Sequence, residues 1–357
     1  MISRFTELLL AWNSRDNDRQ MPWKGEKDPY RIWLSEVILQ QTRVEQGLAY
    51  YHRFIERYPT IEQLASAPEQ EVFRLWQGLG YYSRCRNLLH TARTVMSDFG
   101  GRFPRNHDDI RALKGVGAYT AAAISSFAYG EPYAVVDGNV VRVIARLTGM
   151  EAPVDLPDTR KKIEAIAAKL LHTADPGTYN QAMMDFGATV CKPRQPLCPS
   201  CPMQDICLAN RNDKTTLIPL KSSRAPSRHR WFYYLMVEYR GRVLVRERQG
   251  KDIWRHLHEL VLAESPAELD AEGLSAHPAY ASWLDPGWEK EASMSAPRSQ
   301  QLTHQRIQGR CIYLRLRSKP AQVPEGYQWV ATDQLTQLAF PVFIVEWLRE
   351  NGHYTQP

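Results

Sequence analysis

The sequence lacks long hydrophobic runs and a strong excess of either charge. Its 357 residues contain no stretch of the 18 or more apolar residues that a membrane helix requires, and the start of the chain shows no signal-peptide cleavage pattern. The 45 Lys and Arg residues against 39 Asp and Glu residues give a net charge of +6, which permits a polyanionic partner without requiring one. We therefore expect a soluble, cytoplasmic protein that does not bind membranes.

Cysteine is also scarce, and its distribution is uneven. Cys85 and Cys311 stand alone, whereas the other four follow one another closely as Cys191, Cys198, Cys201 and Cys207. Because disulfides are rare in a reducing cytosol, this grouping predicts a metal site with four thiolate ligands. The spacing leaves zinc and an iron–sulfur cluster as alternatives, although zinc sites usually show two short cysteine pairs and only one is present here.

Strand patterns are nearly absent from the first 210 residues. Apolar residues recur there at intervals of three and four, which indicates helices. Asp28 and Pro29 read as the N-cap and first residue of a helix that reaches about Val44, and Ser66 with Glu69 forms a capping-box pattern. Two further helices are predicted at 158–172 and 178–190. Residues 1–216 are therefore predicted to form an all-α domain.

The composition changes after this region. Residues 217–230 are polar, basic and aperiodic, and we interpret them as a linker. Beyond it, 231–239 and 242–248 read as a strand pair that turns at Gly241, 311–316 reads as another strand, and 341–349 reads as a closing helix. Residues 231–357 are therefore predicted to form a separate α+β domain.

A glycine-containing pentapeptide lies at 113–117, between a helix that Asp108 or Asp109 could cap and a helix that begins near Ala118. Glycines two apart suit a hairpin with positive φ, and such a hairpin can direct amide groups at an anion from the N-terminus of the next helix. This is the pattern of a helix-hairpin-helix phosphate clamp. An ordinary helix-helix turn is the alternative.

Two acidic residues stand in apolar surroundings. Glu36 has Ile32, Trp33 and Leu39 as helical neighbours, so it is either a buried structural glutamate or a general acid whose pKa burial has raised. Asp137 lies between a valine-rich run and a helix, where it is either an N-cap or a fixed negative charge for a cationic transition state.

The hairpin, Asp137 and the four-cysteine loop, in this order, resemble the helix-hairpin-helix DNA glycosylase superfamily. Over nearly the whole chain the resemblance is to the MutY family of adenine DNA glycosylases, although it weakens after about residue 225. The segments that carry it are 34–42, 78–84, 113–117, 136–140, 180–187 and the cysteine loop at 191–207. The resemblance implies a multidomain protein, with an all-α glycosylase domain that holds a [4Fe-4S] cluster and an α+β MutT/Nudix-like C-terminal domain.

The resemblance also implies a division of catalytic roles. Glu36 protonates the departing adenine, Asp137 stabilises the cationic sugar, and Asn139 and Tyr119 help to orient water or the sugar. The related endonuclease III family has a lysine nucleophile where this chain has Tyr119, so we expect a monofunctional glycosylase that leaves an abasic site. An endonuclease III-like glycosylase with lyase activity and a catalytically idle DNA-binding protein are the alternatives.

The resemblance assigns the remaining sites as well. The expected partner is duplex DNA with adenine opposite 8-oxoguanine or guanine, bound by a monomer at the nucleoid. Arg19, Met21, Trp23 and Arg31 would surround the extruded base, although core packing is the alternative for Trp23. Gln41 and Tyr81 would enter the duplex, and Lys114, Gly115, Val116, Gly117, Arg142, Lys192 and Arg194 would contact DNA. Thr303 and His304 would read 8-oxoguanine, and Cys191, Cys198, Cys201 and Cys207 would bind the [4Fe-4S] cluster.

Overall fold

The computed structural model describes residues 2–223, 228–250, 252–281, 290–302, 304–318, 320 and 323–354. Up to residue 212 the described elements are helical, which confirms the prediction from periodicity. These helices are α1 Ile2–Arg15, α2 Pro29–Leu39, α3 Val44–Arg57, α4 Ile61–Ser66, α5 Glu69–Trp76, α6 Tyr82–Phe99, α7 His107–Ala112, α8 Ala118–Tyr129, α9 Gly138–Leu147, α10 Pro157–Leu170, α11 Pro176–Thr189 and α12 Leu208–Arg211. In the described part of the chain, no helix has the length and apolar character needed to cross a membrane.

Helix α2 begins where the sequence predicts and ends earlier. The carboxylate of Asp28 accepts a hydrogen bond from the amide of Tyr30 at 2.9 Å, and Pro29 occupies the first helical position. The prediction that this helix reaches about Val44 is wrong, because Gln41 has a φ of 56° that interrupts helical geometry. This early end brings the last turn of α2 next to an irregular segment.

Two predicted caps are also wrong. Ser66 is the last residue of α4, where its hydroxyl donates to the carbonyl of Glu62 at 2.8 Å, and Pro68 is the N-cap residue of α5. Helix α7 is capped by Asn106 instead of Asp108 or Asp109, since the Asn106 side chain accepts hydrogen bonds from both aspartate amides. Local sequence patterns therefore predicted the approximate start of each helix but not the residue that caps it.

Contacts between residues divide the chain into two compact units. The first contains Met1–Ser66 and Arg86–Arg224, and the second contains Ala67–Cys85 and Ala225–Pro357. The second unit thus takes in α5, which our sequence-based boundary at residue 216 leaves in the helical domain. Within this unit, the hydroxyl of Tyr354 donates to the side-chain oxygen of Gln77 at 3.1 Å, and α5 contacts the 3₁₀ segment Thr332–Gln337.

The second unit is built on a mixed sheet, which confirms the predicted α+β class. Its strands are β1 Arg228–Tyr239, β2 Arg242–Glu247, β3 His258–Glu259, β4 Val261–Ser265, β5 Lys290–Met294, β6 Arg298–Gln301, β7 Gln305–Leu316 and β8 Gln328–Ala331, and its further helices are α13 Ala271–Ala276, α14 Pro278–Ala281 and α15 Val342–Glu350. Strand β1 pairs in parallel with β7 and antiparallel with β2 and β4. The predicted hairpin turns at Gly241, which has a positive φ of 71°.

Side chains of β1 alternate between two apolar cores, as the period of a strand requires. Phe232 and Tyr234 belong to the core that includes α15. Tyr233 and Leu235 belong to the core on the other face, together with Leu274 of α13. Because both faces are covered, this strand reads as a continuous apolar and aromatic run.

In the first unit, a core formed by α1, α9, α10 and α11 supports the site described below. It includes Phe5, Ile144 and Ile163. Trp12 of α1 meets Phe186 of α11 edge to face, with ring centroids 5.2 Å apart. The packing fixes the N-terminal end of α9 beside α11, and the polar residues that these two helices carry therefore come together.

Candidate active site

A cavity of about 830 Å³ lies within the first unit. It is formed by the second half of α2, the starts of α8 and α9, part of α11 and the irregular segment 19–27. Eight of the residues that we expected at the site line it: Arg19, Met21, Trp23, Glu36, Gln41, Tyr119, Asp137 and Asn139. The fold therefore brings together side chains that are up to 120 positions apart in the sequence.

Glu36 is a buried carboxyl group in this cavity, with 7% of its surface exposed. Burial raises its pKa to about 7, and the negative charge of Asp137 acts in the same direction. A hydrogen bond with Tyr119 opposes this shift by favouring the ionised form. Glu36 can therefore hold a proton near neutral pH, as a general acid must.

Asp137 is at once the N-cap of α9 and a cavity residue. One carboxylate oxygen accepts from the amide of Val140 at 2.7 Å, and the other accepts from the side-chain amide of Asn139 at 2.6 Å. Burial raises the pKa of Asp137 above its ordinary value, although these hydrogen bonds and the positive charge of Arg142 oppose the shift. Asp137 can therefore be both an N-cap and a fixed negative charge, because capping holds its carboxylate at the cavity wall.

The position of Arg142 differs from our expectation of a DNA contact. Its side chain is buried, and its guanidinium donates to the side-chain oxygen of Asn139 at 2.8 Å and to the carbonyls of Cys191 and Gly187 at 2.7 and 2.6 Å. These acceptors occupy the guanidinium inside the protein, which leaves it unsuited to binding a phosphate. It instead fixes the orientation of Asn139 beside Asp137.

Tyr119 of α8 contacts residues of two other helices that line the cavity, α2 and α11. Its hydroxyl is hydrogen-bonded with Glu36 and approaches the sulfur of Met184 at 3.7 Å. Burial raises its pKa well above the ordinary value, and the negative charges of Glu36 and Asp137 add to the effect. The phenol therefore stays neutral and can act as a hydrogen-bond donor beside Glu36.

The expected base-pocket residues separate into two groups. Arg19, Met21 and Trp23 line the cavity, and the ring of Trp23 meets Tyr51 edge to face at 5.5 Å. Arg31 is not among the lining residues, and its guanidinium lies 3.5 Å from Glu26.

The hairpin at 113–117 joins α7 to α8, as the sequence predicts. Gly115 has a φ of 82°, and Gly117 is the N-cap residue of α8. Lys114 is exposed, whereas the side chain of Val116 is buried and its amide donates to the carbonyl of Leu113 at 3.0 Å. Lys114 and the two glycines therefore form the accessible surface of the turn.

Gln41 and Tyr81 share an unusual backbone conformation. Their φ angles are 56° and 47°, in a region that residues other than glycine seldom adopt. Gln41 is exposed at the edge of the cavity, and 46% of the Tyr81 surface is accessible. Gln41 belongs to the first unit and Tyr81 to the second.

The four cysteines lie in a loop that follows α11. Arg146 donates to the sulfur of Cys191 at 3.3 Å, and the amide of Met203 donates to the sulfur of Cys201 at 3.4 Å. Burial and the neighbouring cysteines raise the pKa of Cys201 to about 12 and also raise that of Cys207. Among the described residues, no group of three or more His, Cys, Asp or Glu side chains has the arrangement that holds a single metal ion. Nearby, Lys192 is half-buried and Arg194 is exposed.

The two residues expected to read the lesion belong to the second unit. Thr303 lies outside the described residues. His304 is exposed, and its carbonyl accepts a hydrogen bond from the amide of Arg228 at 3.1 Å, beside the start of β1.

Four polar residues of this region had no role in our sequence analysis. Lys24, Arg160 and Gln181 line the cavity, and Asp185 lies fully buried behind it. Asp185 gave a weaker signal than Glu36, because Gln181 and Thr189 are among its neighbours three and four positions away on the helix. Lys24 and Arg160 gave no comparable signal, because a single basic residue in a polar stretch is ordinary.

Comparison with known proteins defines the class to which this fold and cavity belong. The profile of the HhH-GPD superfamily base excision DNA repair protein matches residues 34–173, and the NUDIX domain profile matches residues 232–350. The solved structure of a thermostable thymine-DNA glycosylase is 33% identical and has a TM-score of 0.55, and the match covers 59% of this chain and 97% of that structure's chain.

Curated relatives narrow the class to one family. The adenine DNA glycosylase of Buchnera aphidicola subsp. Baizongia pistaciae is 34% identical over 260 residues, which cover 71% of this chain and 72% of that protein. The adenine DNA glycosylase of Rattus norvegicus is 41% identical over 219 residues, and the match covers 59% of this chain and 42% of the rat protein. The chain thus spans less than half the length of the rat protein. It belongs to the adenine DNA glycosylase family.

Proposed function

We propose that this protein hydrolyses the N-glycosidic bond of adenine opposite 8-oxoguanine or guanine in duplex DNA. One observation carries the proposal: Glu36, whose pKa is about 7, lines the same cavity as Asp137. Two carboxyl groups in different environments suit the protonation of a leaving base and the stabilisation of the cation that remains. The cavity volume of about 830 Å³ lies in the range of sites for small organic groups such as a nucleoside.

The reaction would follow from the position of each side chain. Adenine must leave the base stack to reach the cavity. Glu36 then donates its proton to the base, so that the base departs neutral, and the carboxylate of Asp137 stabilises the positive charge that develops on the sugar. Asn139 holds Asp137 in place through its 2.6 Å hydrogen bond, and water completes the hydrolysis.

We expect the enzyme to leave the abasic site intact. Two lysines line the cavity among the described residues, and both already have partners. The ammonium of Lys24 lies 3.3 Å from the carboxylate of Asp185, and that of Lys27 donates to the carbonyl of Phe127 at 3.1 Å. Tyr119 cannot form a Schiff base. Efficient borohydride trapping of enzyme on DNA, lost when Lys114 or Lys24 is replaced, would contradict a monofunctional mechanism.

A single-turnover assay tests the proposal. Duplexes with adenine opposite 8-oxoguanine, guanine and cytosine are incubated with excess enzyme, and adenine release is measured. We expect release from the first two duplexes and much less from the third. Glu36→Gln should bind the duplex without releasing the base, whereas Glu56→Gln, a change at an exposed position on α3, should behave as wild type. Excision of a damaged pyrimidine with strand cleavage would favour an endonuclease III-like enzyme, and binding without release would favour an idle DNA-binding protein.

The cysteine loop would hold a [4Fe-4S] cluster. Cys191, Cys198 and Cys207 lie close enough to Cys201 to raise its pKa. Arg146 and the Met203 amide supply N–H donors to two of the sulfurs. Such donors are typical around thiolate-bound clusters. When bound, the cluster would serve a structural role by fixing the loop that carries Lys192 and Arg194 for contact with DNA. Iron and sulfide analysis of anaerobically purified protein tests this assignment, and stoichiometric zinc without sulfide would contradict it.

The second unit would read the base opposite the adenine through Thr303 and His304. A threonine hydroxyl can accept the N7 proton that distinguishes 8-oxoguanine from guanine. Thr303→Ala and His304→Ala should lower the ratio of the release rates from the 8-oxoguanine and guanine duplexes, with little loss on the guanine duplex. Thr336→Ala, in the same unit, is the control. An unchanged ratio in both variants would contradict the assignment.

We further propose that the enzyme acts as a monomer in the cytoplasm, on nucleoid DNA. The mass of the free protein measured by light scattering tests the monomeric state, for which the value is 41.1 kDa.

A further inference from the structure

A fully buried carboxylate lies behind the cavity and takes no part in the mechanism above. Asp185 of α11 has no exposed surface. Four side chains contact it: Arg19 and Gln181 each donate to one oxygen at 2.9 Å, Asn17 donates to the other at 3.0 Å, and the ammonium of Lys24 forms an ion pair with that second oxygen at 3.3 Å. One carboxylate thus satisfies donors from two separate parts of the chain.

Three of these four donors line the cavity, whereas Asp185 itself does not. Arg19 and Lys24 belong to an irregular segment that has no helix or strand to hold it between α1 and α2. Within the segment, the ammonium of Lys24 also donates to the carbonyl of Arg19 at 2.9 Å. Asp185 therefore fastens the segment to α11, which the core in turn holds in place.

The charges make this attachment strong. A buried carboxylate without partners would be costly, and hydrogen bonds to a charged group in a buried site are stronger than those between neutral groups. Arg19, Lys24 and Gln181 have long flexible side chains, so without a common acceptor each would sample several rotamers. The wall of the cavity would then lose its fixed array of donors.

We propose that Asp185 is a positioning residue that fixes the polar wall of the base cavity and so sets the rate of base release. The inference depends on the proposed glycosylase function. It is distinct from the roles of Glu36 and Asp137, because Asp185 would act through Arg19, Lys24 and Gln181 without touching the base.

The test is Asp185→Asn, which keeps the volume and removes the charge. Its amide group would present hydrogens to donors, so at least one of the four contacts must break. Displacement of a group by about 1 Å can lower a rate by roughly 100-fold, and we expect the single-turnover rate constant to fall by about 10- to 100-fold. The dissociation constant for a duplex with a stable abasic-site analogue should change by less than about threefold, because contacts with the backbone remain. Asp98→Asn, at an exposed position near the end of α6, is the control.

Two features separate positioning from folding. The single-turnover rate constant describes only the competent molecules, so a misfolded fraction lowers the amplitude and leaves the rate constant unchanged. The pH at which the rate is half-maximal should stay where Glu36 places it. A rate constant within twofold of wild type in Asp185→Asn would contradict the proposal, as would a fall in amplitude alone.

Asp185→Glu provides a second test that remains available if the asparagine variant fails to fold. It keeps the charge and moves the carboxylate by one methylene group, so we expect a rate constant between those of wild type and Asp185→Asn, or a severalfold loss if it is measured alone. A wild-type rate in this variant would also contradict the proposal. Absence of adenine release by the wild-type enzyme would instead refute the proposed function itself.

Discussion

At the scale of single residues, the site depends on two carboxyl groups whose surroundings differ. Burial raises the pKa of both groups: that of Glu36 rises to about 7, and that of Asp137 also lies above its ordinary value, although hydrogen bonds from Val140 and Asn139 and the positive charge of Arg142 oppose the shift. These opposing interactions favour the charged form of Asp137, which suits the fixed negative charge that we propose for it, whereas Glu36 suits the role of the acid. Two carboxyl groups would thus perform different roles.

The first prediction concerns the pH dependence of base release. Only the protonated form of Glu36 can donate, so the rate should be highest below pH 7 and should fall about tenfold for each pH unit well above 7. Single-turnover rates between pH 5 and 9 measure this dependence. A flat profile across this range would show that Glu36 is not the acid.

The raised pKa of Glu36 also predicts a cost in stability. Below pH 4.5 both the folded and the unfolded chain hold the proton; between 4.5 and about 7 only the folded chain does, so the free energy of unfolding falls as the pH rises. The loss levels off above pH 7 at roughly 3 kcal/mol. Glu36→Gln should therefore be more stable than wild type at pH 8, and this difference should shrink towards pH 4. Denaturant unfolding at both pH values measures it, and Glu56→Gln is the exposed control.

For Asp137, charge and capping can be separated by one substitution. Asparagine is as good an N-cap as aspartate, so Asp137→Asn should keep α9 and lose the negative charge. We expect base release to fall by roughly 100- to 1,000-fold, with a small change in the unfolding temperature. Asp175→Asn is the matched control, since Asp175 caps α11 through the amide of Thr178 and does not line the cavity. Equal losses in both variants would point to capping alone.

At the scale of elements, the ends of helices shape the surface that we propose to contact DNA. Helix α2 ends where Gln41 adopts a positive φ, and the hairpin between α7 and α8 requires the same conformation at Gly115. Both turns expose polar groups at the end of a helix. Hydrophobic periodicity predicts the helices that flank each turn, whereas the backbone conformation of one or two residues determines where each helix ends.

The hairpin gives a prediction with a control inside the same turn. A Cβ at Gly115 would come within 2.7 Å of the Asn87 Cβ, and its φ of 82° disfavours any other residue. Gly115→Ala should therefore lower the free energy of unfolding by about 1–2 kcal/mol or more. A Cβ at Gly117 would meet open space at an ordinary φ, so Gly117→Ala should cost less than about 1 kcal/mol. Denaturant unfolding measures both, and equal losses would contradict this account of the turn.

At the scale of the whole molecule, the two compact units do not follow the sequence in simple order. Residues 67–85 belong to the second unit although residues on both sides of them belong to the first. The chain therefore passes into the second unit and back before the linker region begins. The HhH-GPD and NUDIX profiles match two consecutive ranges, 34–173 and 232–350, and so do not show that residues 67–85 belong to the second unit.

This arrangement predicts the effect of removing the C-terminal region. A protein that ends at Ser223 loses the partners of α5, including Tyr354 and the segment 332–337. We expect faster amide hydrogen exchange in residues 69–76 than in the full chain, because their packing is lost. Protection in α9 should be unchanged. Equal protection of α5 in both proteins would show that its stability does not depend on the residues after 223.

Several properties of this protein can be predicted from local sequence. Helical periodicity, the Gly115 hairpin, the cysteine loop and the resemblance to a glycosylase family were sufficient to predict the two fold classes, which the structure and the comparisons confirm. The sequence also nominated Glu36 and Asp137, because a carboxyl group among apolar residues is rare without a reason. Each of these features involves residues that are close together in the sequence, so it can be recognised without the folded structure.

How distant residues combine becomes apparent only from the folded chain. The side chain of Arg142 is buried and donates to Asn139, and Arg31 does not line the cavity. Asp185 contacts four side chains from two parts of the chain. The fold also sets the pKa of Glu36, since burial depends on which helices cover α2. Such properties depend on long-range packing, and no short stretch of sequence contains that information.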